Sequence, residues 1–262
     1  MDYLKINKAL WNQRTAAHVI SGFYDVPAFL AGKSSLNPIE LELLGDINGK
    51  SILHLQCHFG QDSISLSRMG ANVTGVDFSN EAIKKARELA EKAQTNTTFI
   101  ESDIYRLPEN LTESFDIIYT SYGVIGWLPD LDRWAKVISH FLKPNGKLVF
   151  AEFHPLIWMF DDSFEHISYS YFNRKEIIEI EEGSYTDQSE TVKGQSVTWN
   201  HSLAEVFSSL KANNMTIDQL AEYDHSPYNC LKGMVEFEPG KWRIAKFGDK
   251  IPLVYALTAL RK

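Results

Sequence analysis

The stretch Ser51 to Ser79, SILHLQCHFGQDSISLSRMGANVTGVDFS, limits the possible folds most sharply, because it reads as strand, tight turn, helix and second strand ending on an acid. The apolar run Ile52-Leu53-His54-Leu55 stops at Gln56-Cys57-His58-Phe59-Gly60, where a glycine lets backbone N–H groups approach a ligand at a helix N-terminus. The second run ends at Gly75-Val76-Asp77. An aspartate at the tip of a second parallel strand, one crossover helix after such a loop, stands where a carboxylate can accept both hydroxyls of a ribose.

From Ser51 to about His154, short apolar runs alternate with helical patterns, which predicts a parallel sheet covered by helices. Strands are expected near 51–55, 72–77, 97–101, 115–120 and 146–153, all five of them central. Ser79 is placed to cap a helix with Ile83, Ala86, Ala90 and Ala93 on one face. Asp130 opens another that carries Leu131, Trp134, Ile138, Phe141 and Leu142 and ends at Lys143-Pro144-Asn145-Gly146. After His154-Pro155 the alternation lapses into a segment rich in aromatics and acids. Glu176 to Glu181 partly alternates there, and Glu182-Gly183-Ser184 has turn character. Ser202-Leu203-Ala204-Glu205 then forms a capping box, followed by strands near 215–223 and 252–261.

The expected fold class is therefore α/β: a doubly wound, mostly parallel sheet with an antiparallel C-terminal strand. Residues 1–49, with helices around Lys8 to Ile20 and Pro38 to Leu44, are expected to form an N-terminal helical lid or edge cover. Residues 50–155 and 201–262 form the core, and 156–200 an insertion after the fifth strand that covers one end of the sheet.

Composition narrows the function. The 262 residues are 44% hydrophobic and 12% aromatic, enough to fill one large core. The formal charge of −8 repels phosphate backbones, so nucleic acid is not an expected partner. No apolar segment reaches the roughly 20 residues that span a bilayer, so no membrane partner is expected. Two cysteines, Cys57 and Cys230, fit neither a disulfide framework nor a zinc spacing, and MDYLKINKALW lacks the apolar stretch of a signal peptide. A cytoplasmic location and no metal are expected.

The order of these pieces resembles the class I S-adenosylmethionine-dependent methyltransferase family, over roughly Lys50 to Lys147 and again in the last sixty residues. The family's glycine-rich turn corresponds to His54-Leu55-Gln56-Cys57-His58-Phe59-Gly60, in which only Gly60 of three glycines is kept and His54 stands where an acid is frequent. Gly75-Val76-Asp77-Phe78-Ser79 is similar to the second-strand motif. Glu101-Ser102-Asp103-Ile104 is similar to the third, and Phe115-Asp116-Ile117-Ile118-Tyr119 with Leu142 to Leu148 to the fourth and fifth strands. The resemblance implies a Rossmann-like methyltransferase fold and S-adenosyl-L-methionine as cofactor, with S-adenosyl-L-homocysteine as product. It implies cofactor contacts from Gln56, Cys57, Gly60, Asp77, Phe78, Asp103, Ile104 and Ser121. Asp77 would take the ribose hydroxyls, Phe78 would pack on adenine, and Asp103 would accept from the adenine amino group.

Simpler roles stand beside these. Asp77 can merely start the next helix, Asp103 can belong to a surface turn, and Cys57 and His54 can be core packing. Ligands on open α/β sheets bind at the carboxyl ends of the strands, which singles out Ser121-Tyr122 and His154. His154 is the candidate general base, or else a structural histidine that hydrogen-bonds the insertion. Tyr122, with Trp11 and His18 on the N-terminal helix, is a candidate contact for a small-molecule acceptor methylated on O, N or S. The rival readings are a cofactor-binding protein without turnover and a nicotinamide-dependent oxidoreductase. The lack of Gly-x-Gly-x-x-Gly argues against the oxidoreductase.

Overall fold

The computed structural model describes residues 2–186 and 192–262. In chain order the elements are α1 (Tyr3–Ile20), α2 (Val26–Leu30), α3 (Pro38–Leu44), β1 (Ser51–Leu55), α4 (Gln61–Arg68), β2 (Asn72–Asp77), α5 (Asn80–Lys92), β3 (Thr98–Glu101), β4 (Phe115–Ser121), α6 (Leu131–Phe141) and β5 (Leu142–Phe153). They continue with β6 (Ile177–Glu182), β7 (Lys193–Thr198), α7 (Leu203–Ala212), β8 (Met215–Tyr223), β9 (Met234–Glu238), β10 (Lys241–Ile244) and β11 (Val254–Arg261).

Seven strands form one sheet in the order β3-β2-β1-β4-β5-β11-β8. The β3-β2-β1-β4-β5 part is parallel, and β11 runs antiparallel to both β5 and β8. Side chains alternate between the two faces as the pleat requires. Leu53, Leu55, Ile118, Leu148 and Phe150 pack with Trp134, Ile138 and Phe141 of α6 and Val206 and Leu210 of α7. Ile52, Ile117, Tyr119, Val149 and Ala151 face the other way, toward Ile39, Leu43 and Leu44 of α3. Beyond them Phe29, Ile64, Ile83, Ala86, Leu89 and Phe99 form a third cluster around α4 and α5. Both faces are covered, as expected of strands that read as near-continuous apolar runs.

Local chemistry sets the helix starts. The hydroxyl of Ser79 accepts from Ala82 N at 3.1 Å, Asp130 Oδ1 from Arg133 N at 3.0 Å, and the hydroxyl of Ser202 from Glu205 N at 3.1 Å. The fold departs from the sequence reading in several places. β3 is an edge strand rather than central, and β11 lies inside the sheet, leaving β8 at the other edge. Lys143 to Gly146 belong to β5, because α6 already ends at Phe141. α1 begins at Tyr3, five residues before the expected Lys8. The insertion contains the antiparallel pair β6–β7; Gly183 N bonds Val192 O at 2.8 Å, and residues 187–191 of the connection lie outside the described residues. A second hairpin, β9–β10, which the sequence reading passed over, separates β8 from β11.

Candidate functional site

Strand order reverses between β1 and β4, and a cleft opens at the carboxyl ends of β1, β2 and β3 beside this point. Its empty space, counting the part open to solvent, is about 440 Å³. The sheet supplies Leu55, Gln56, Val76, Asp77, Phe78, Ser102, Asp103 and Ile104. Tyr3, Leu4 and Asn7 of α1 wall one side, and Trp127 and Leu128, from the loop after β4, wall the other.

Asp77 is the fixed point of the cleft. Its carboxylate accepts from His58 N and from Ser79 N, both at 2.9 Å, so it ties the β1 loop to the start of α5. It is buried, with 8% of its surface exposed, and burial lifts its pKa to about 6. Gln56 and His58 both adopt positive φ, 55° and 50°, in a loop where glycines would sit without strain. The amide of Gln56 donates to Val124 O at 2.8 Å, while its Oε1 is buried without a hydrogen-bond partner. Asp103 Oδ1 accepts from Tyr105 N at 3.0 Å and caps the short helical turn 104–109. Phe78 and Ile104 contribute apolar surface between the two acids.

Other anticipated residues lie elsewhere. Gly60 does not line the cleft; its φ is +82°, and a Cβ there would stand 2.6 Å from the Phe99 ring, so close packing of α4 on β3 demands the glycine. Cys57 is buried, with its Sγ directed to His58 O at 3.6 Å, and burial pushes the thiol well up. Ser121 donates to Asp62 Oδ2 at 3.4 Å, and Tyr122 donates to Glu40 Oε2 at 2.8 Å. Trp11 packs edge-on against Trp127 and His58, with both ring centroids 5.3 Å away. His18 Nδ1 and His58 Nε2 lie 2.9 Å apart, and His18 Nε2 lies 2.5 Å from the Ser184 hydroxyl. Burial, and then the nearby Arg14 guanidinium, lowers His18 to about 3, so it stays neutral.

His154 is not brought to the cleft. Its Nε2 pairs with Glu222 Oε1 of β8 at 2.9 Å and its Nδ1 accepts from Leu156 N at 3.1 Å, which occupies both ring nitrogens. One partner thus lies on β8 and the other, Leu156, at the start of the insertion, as the structural alternative for this histidine expected.

The sequence reading expected an N-terminal helical lid but did not name Tyr3, Leu4 and Asn7 as the residues that line the cleft, and it missed Glu152. That buried carboxylate accepts from the backbone N–H groups of Gly123, Val124 (2.8 Å), Ile125 (3.1 Å) and Phe153 (2.7 Å), and so holds the loop that carries Trp127. The available signal was an acid inside the apolar run Leu148 to Phe153, at the carboxyl end of a core strand.

This architecture has close counterparts. Residues 52–146 match the family described as a methyltransferase domain. A ubiquinone biosynthesis O-methyltransferase from Coxiella burnetii is 35% identical over 119 residues, covering 44% of this chain and 50% of that protein. A demethylmenaquinone methyltransferase from Lactococcus lactis is 33% identical over 130 residues, covering 48% and 51%. The chain thus spans about half the length of these curated relatives. In fold it is similar to an S-adenosylmethionine-dependent methyltransferase from Mesorhizobium loti, with a TM-score of 0.58 and 21% identity over 88% of this chain and all of that one. One from Clostridium acetobutylicum gives a TM-score of 0.57 at 14% identity, covering 97% and 98%. Residues 52–146 thus match a methyltransferase domain, and the sheet around them has the fold seen in S-adenosylmethionine-dependent methyltransferases.

Proposed function

We propose that this protein transfers the methyl group of S-adenosyl-L-methionine to a small-molecule acceptor. The observation that carries the reading is Asp77: a buried carboxylate at the tip of β2, already holding two main-chain N–H groups, with lone pairs left for the two hydroxyls of a ribose. The residues suit the cofactor. Gln56 Oε1 is an unpaired buried acceptor on the cleft wall, Phe78 and Ile104 offer apolar surface for a purine, and Asp103 retains acceptor capacity for an exocyclic amine. When bound, the cofactor supplies a methyl carbon already activated by the sulfonium.

The chain's own work is then binding, alignment and exclusion of water. Tyr3, Leu4 and Asn7 of α1 close the cleft from above, and Trp127, held through the Glu152-organised loop, closes it from the side. The names of the relatives from Coxiella burnetii and Lactococcus lactis support a small organic acceptor over a polymer. Among the described residues no helix is long and apolar enough to cross a membrane, and no group of three His, Cys, Asp or Glu is arranged to hold a metal ion. Calorimetry with S-adenosylmethionine and S-adenosylhomocysteine tests the reading; absence of heat at millimolar ligand rejects it.

A further inference from the structure

Along the strand order β3-β2-β1-β4, the cleft runs from Asp103 and Ile104, past Asp77, to Gln56 and Trp127. With a purine at the Asp103 end and a ribose on Asp77, the amino-acid tail of the cofactor falls to the Gln56–Trp127 end. A zwitterion there needs a donor for its carboxylate and an acceptor for its ammonium. The turn after β1 has little to give the carboxylate, because three of its main-chain N–H groups are already used. Cys57 N donates to Val76 O at 2.9 Å, His58 N to Asp77 at 2.9 Å and Gly60 N to Cys57 O at 3.0 Å. Two nearby cations serve the other end: Lys8 pairs with Glu101 at 2.7 Å, and the Arg133 guanidinium lies 4.2 Å from the centre of the Tyr105 ring.

Arg14 of α1 borders the Gln56–Trp127 end. Its side chain is only 8% exposed, and its guanidinium lies over the rings of Trp11 and Trp127, 5.3 and 5.7 Å from their centroids. Glu181 Oε2 of β6 accepts from Nη2 at 3.1 Å, whereas Nε is buried without a hydrogen-bond partner. The guanidinium also stands close to the turn after β1: burial, then His18 and then the Arg14 charge lower the pKa of His58. Independently, Gln56 Oε1 on the cleft wall is buried without a partner, while its amide nitrogen donates to Val124 O. A buried polar atom is rarely left so unless something that enters the site completes it. One spare donor on a cation and one spare acceptor on the wall are the complement of a zwitterion.

We propose that Arg14 and Gln56 hold the amino-acid tail of the cofactor, Arg14 donating from its guanidinium to the carboxylate and Gln56 Oε1 accepting from the ammonium. The inference rests on the cofactor reading given under the proposed function. It makes α1 part of the binding site as well as its cover, and it puts two side chains where a turn richer in glycine would offer main chain.

Calorimetry on the full chain tests this with three ligands: S-adenosylhomocysteine; S-adenosyl-3-thiopropylamine, which has hydrogen in place of the carboxylate; and 5′-methylthioadenosine, which lacks the whole tail. The wild type is expected to bind S-adenosylhomocysteine about tenfold or more tighter than the thiopropylamine. Arg14→Gln should bring these two within about twofold of each other while 5′-methylthioadenosine affinity holds, which also reports that the variant is folded. Gln56→Met should remove the advantage of the thiopropylamine over 5′-methylthioadenosine. Glu181→Gln, which breaks the ion pair and keeps the guanidinium, should retain the carboxylate preference. Equal losses for all three ligands in Arg14→Gln, or loss of the preference in Glu181→Gln, mean that Arg14 only fastens α1 to the β6–β7 hairpin and overturn the proposal. Binding of 5′-methylthioadenosine with no carboxylate preference in the wild type keeps the cofactor cleft and rejects the role of Arg14. Failure of all three ligands to bind rejects the cofactor reading itself.

Discussion

The main-chain N–H of His58 donates to the carboxylate of Asp77 at 2.9 Å, so the loop after β1 and the tip of β2 behave as one unit. On the proposed reading, Asp77→Ala takes away two charge-assisted bonds to a ribose, roughly 1.5 to 3 kcal/mol each, and frees the loop. Affinity for S-adenosylhomocysteine should drop by roughly 100-fold or more in calorimetry. Because burial lifts Asp77 to about 6, wild-type affinity should also fall as the solution is acidified through that value.

Gly60→Ala places a Cβ 2.6 Å from the Phe99 ring at a residue with φ +82°. Left-handed backbone costs a non-glycine residue about 1 kcal/mol or more, and overpacking adds about 1 to 3. Urea denaturation should show a loss of about 2 to 4 kcal/mol. A loss below about 1 kcal/mol means that β3 yields freely, contrary to this packing.

Folding raises the pKa of Glu40 from 4.5 to about 7, so the native state holds this proton more tightly than the unfolded chain does. Its contribution to stability is complete below pH 4.5 and is lost as pH rises through about 7. Glu40→Gln removes the titration and retains acceptor and donor capacity for Asn37 and Tyr122. Relative to this variant, the wild type should lose about 2 kcal/mol between about pH 5 and about pH 8. Parallel pH profiles of the two proteins in chemical denaturation refute the assignment.

Both ring nitrogens of His154 are occupied, by Glu222 and by Leu156 N, and neither points into the cleft. His154→Asn keeps an acceptor for Leu156 N and drops the bond to Glu222. Methyl-transfer turnover should stay within about twofold, with a stability cost of about 1 kcal/mol. A loss of turnover far beyond that, with an unchanged melting temperature, restores His154 as the base.

The frame from β1 to α5 was legible because each boundary carries its own local chemistry: an apolar run broken at Gln56, a glycine at 60, an acid at 77 and the cap at Ser79. Strand position in the sheet was not, since Phe99 and Ile100 look as apolar as the residues of a central strand, and only pairing shows that β3 is flanked on one side. The β9–β10 hairpin did carry both a turn, Pro239-Gly240, and alternation in Val235-Glu236-Phe237-Glu238 and Lys241-Trp242-Arg243-Ile244, but its strands are short and charged, and Met234–Glu238 is largely solvated. Asp77, Phe78, Asp103, Ile104 and Gln56 could be named from order along the chain. Tyr3, Asn7, Glu40 and Glu152 could not, because their roles arise from contacts between segments far apart in sequence.

Asn7 bonds Val197 twice, its amide donating to the carbonyl at 2.8 Å and its side-chain oxygen accepting from the N–H at 2.9 Å, while Arg14 pairs with Glu181. The first helix and the β6–β7 hairpin are therefore stitched into a single unit, whose α1 face lines the cleft. If the cleft takes a nucleoside as proposed, loosening the Asn7–Val197 pair should speed its departure without touching the groups that bind it.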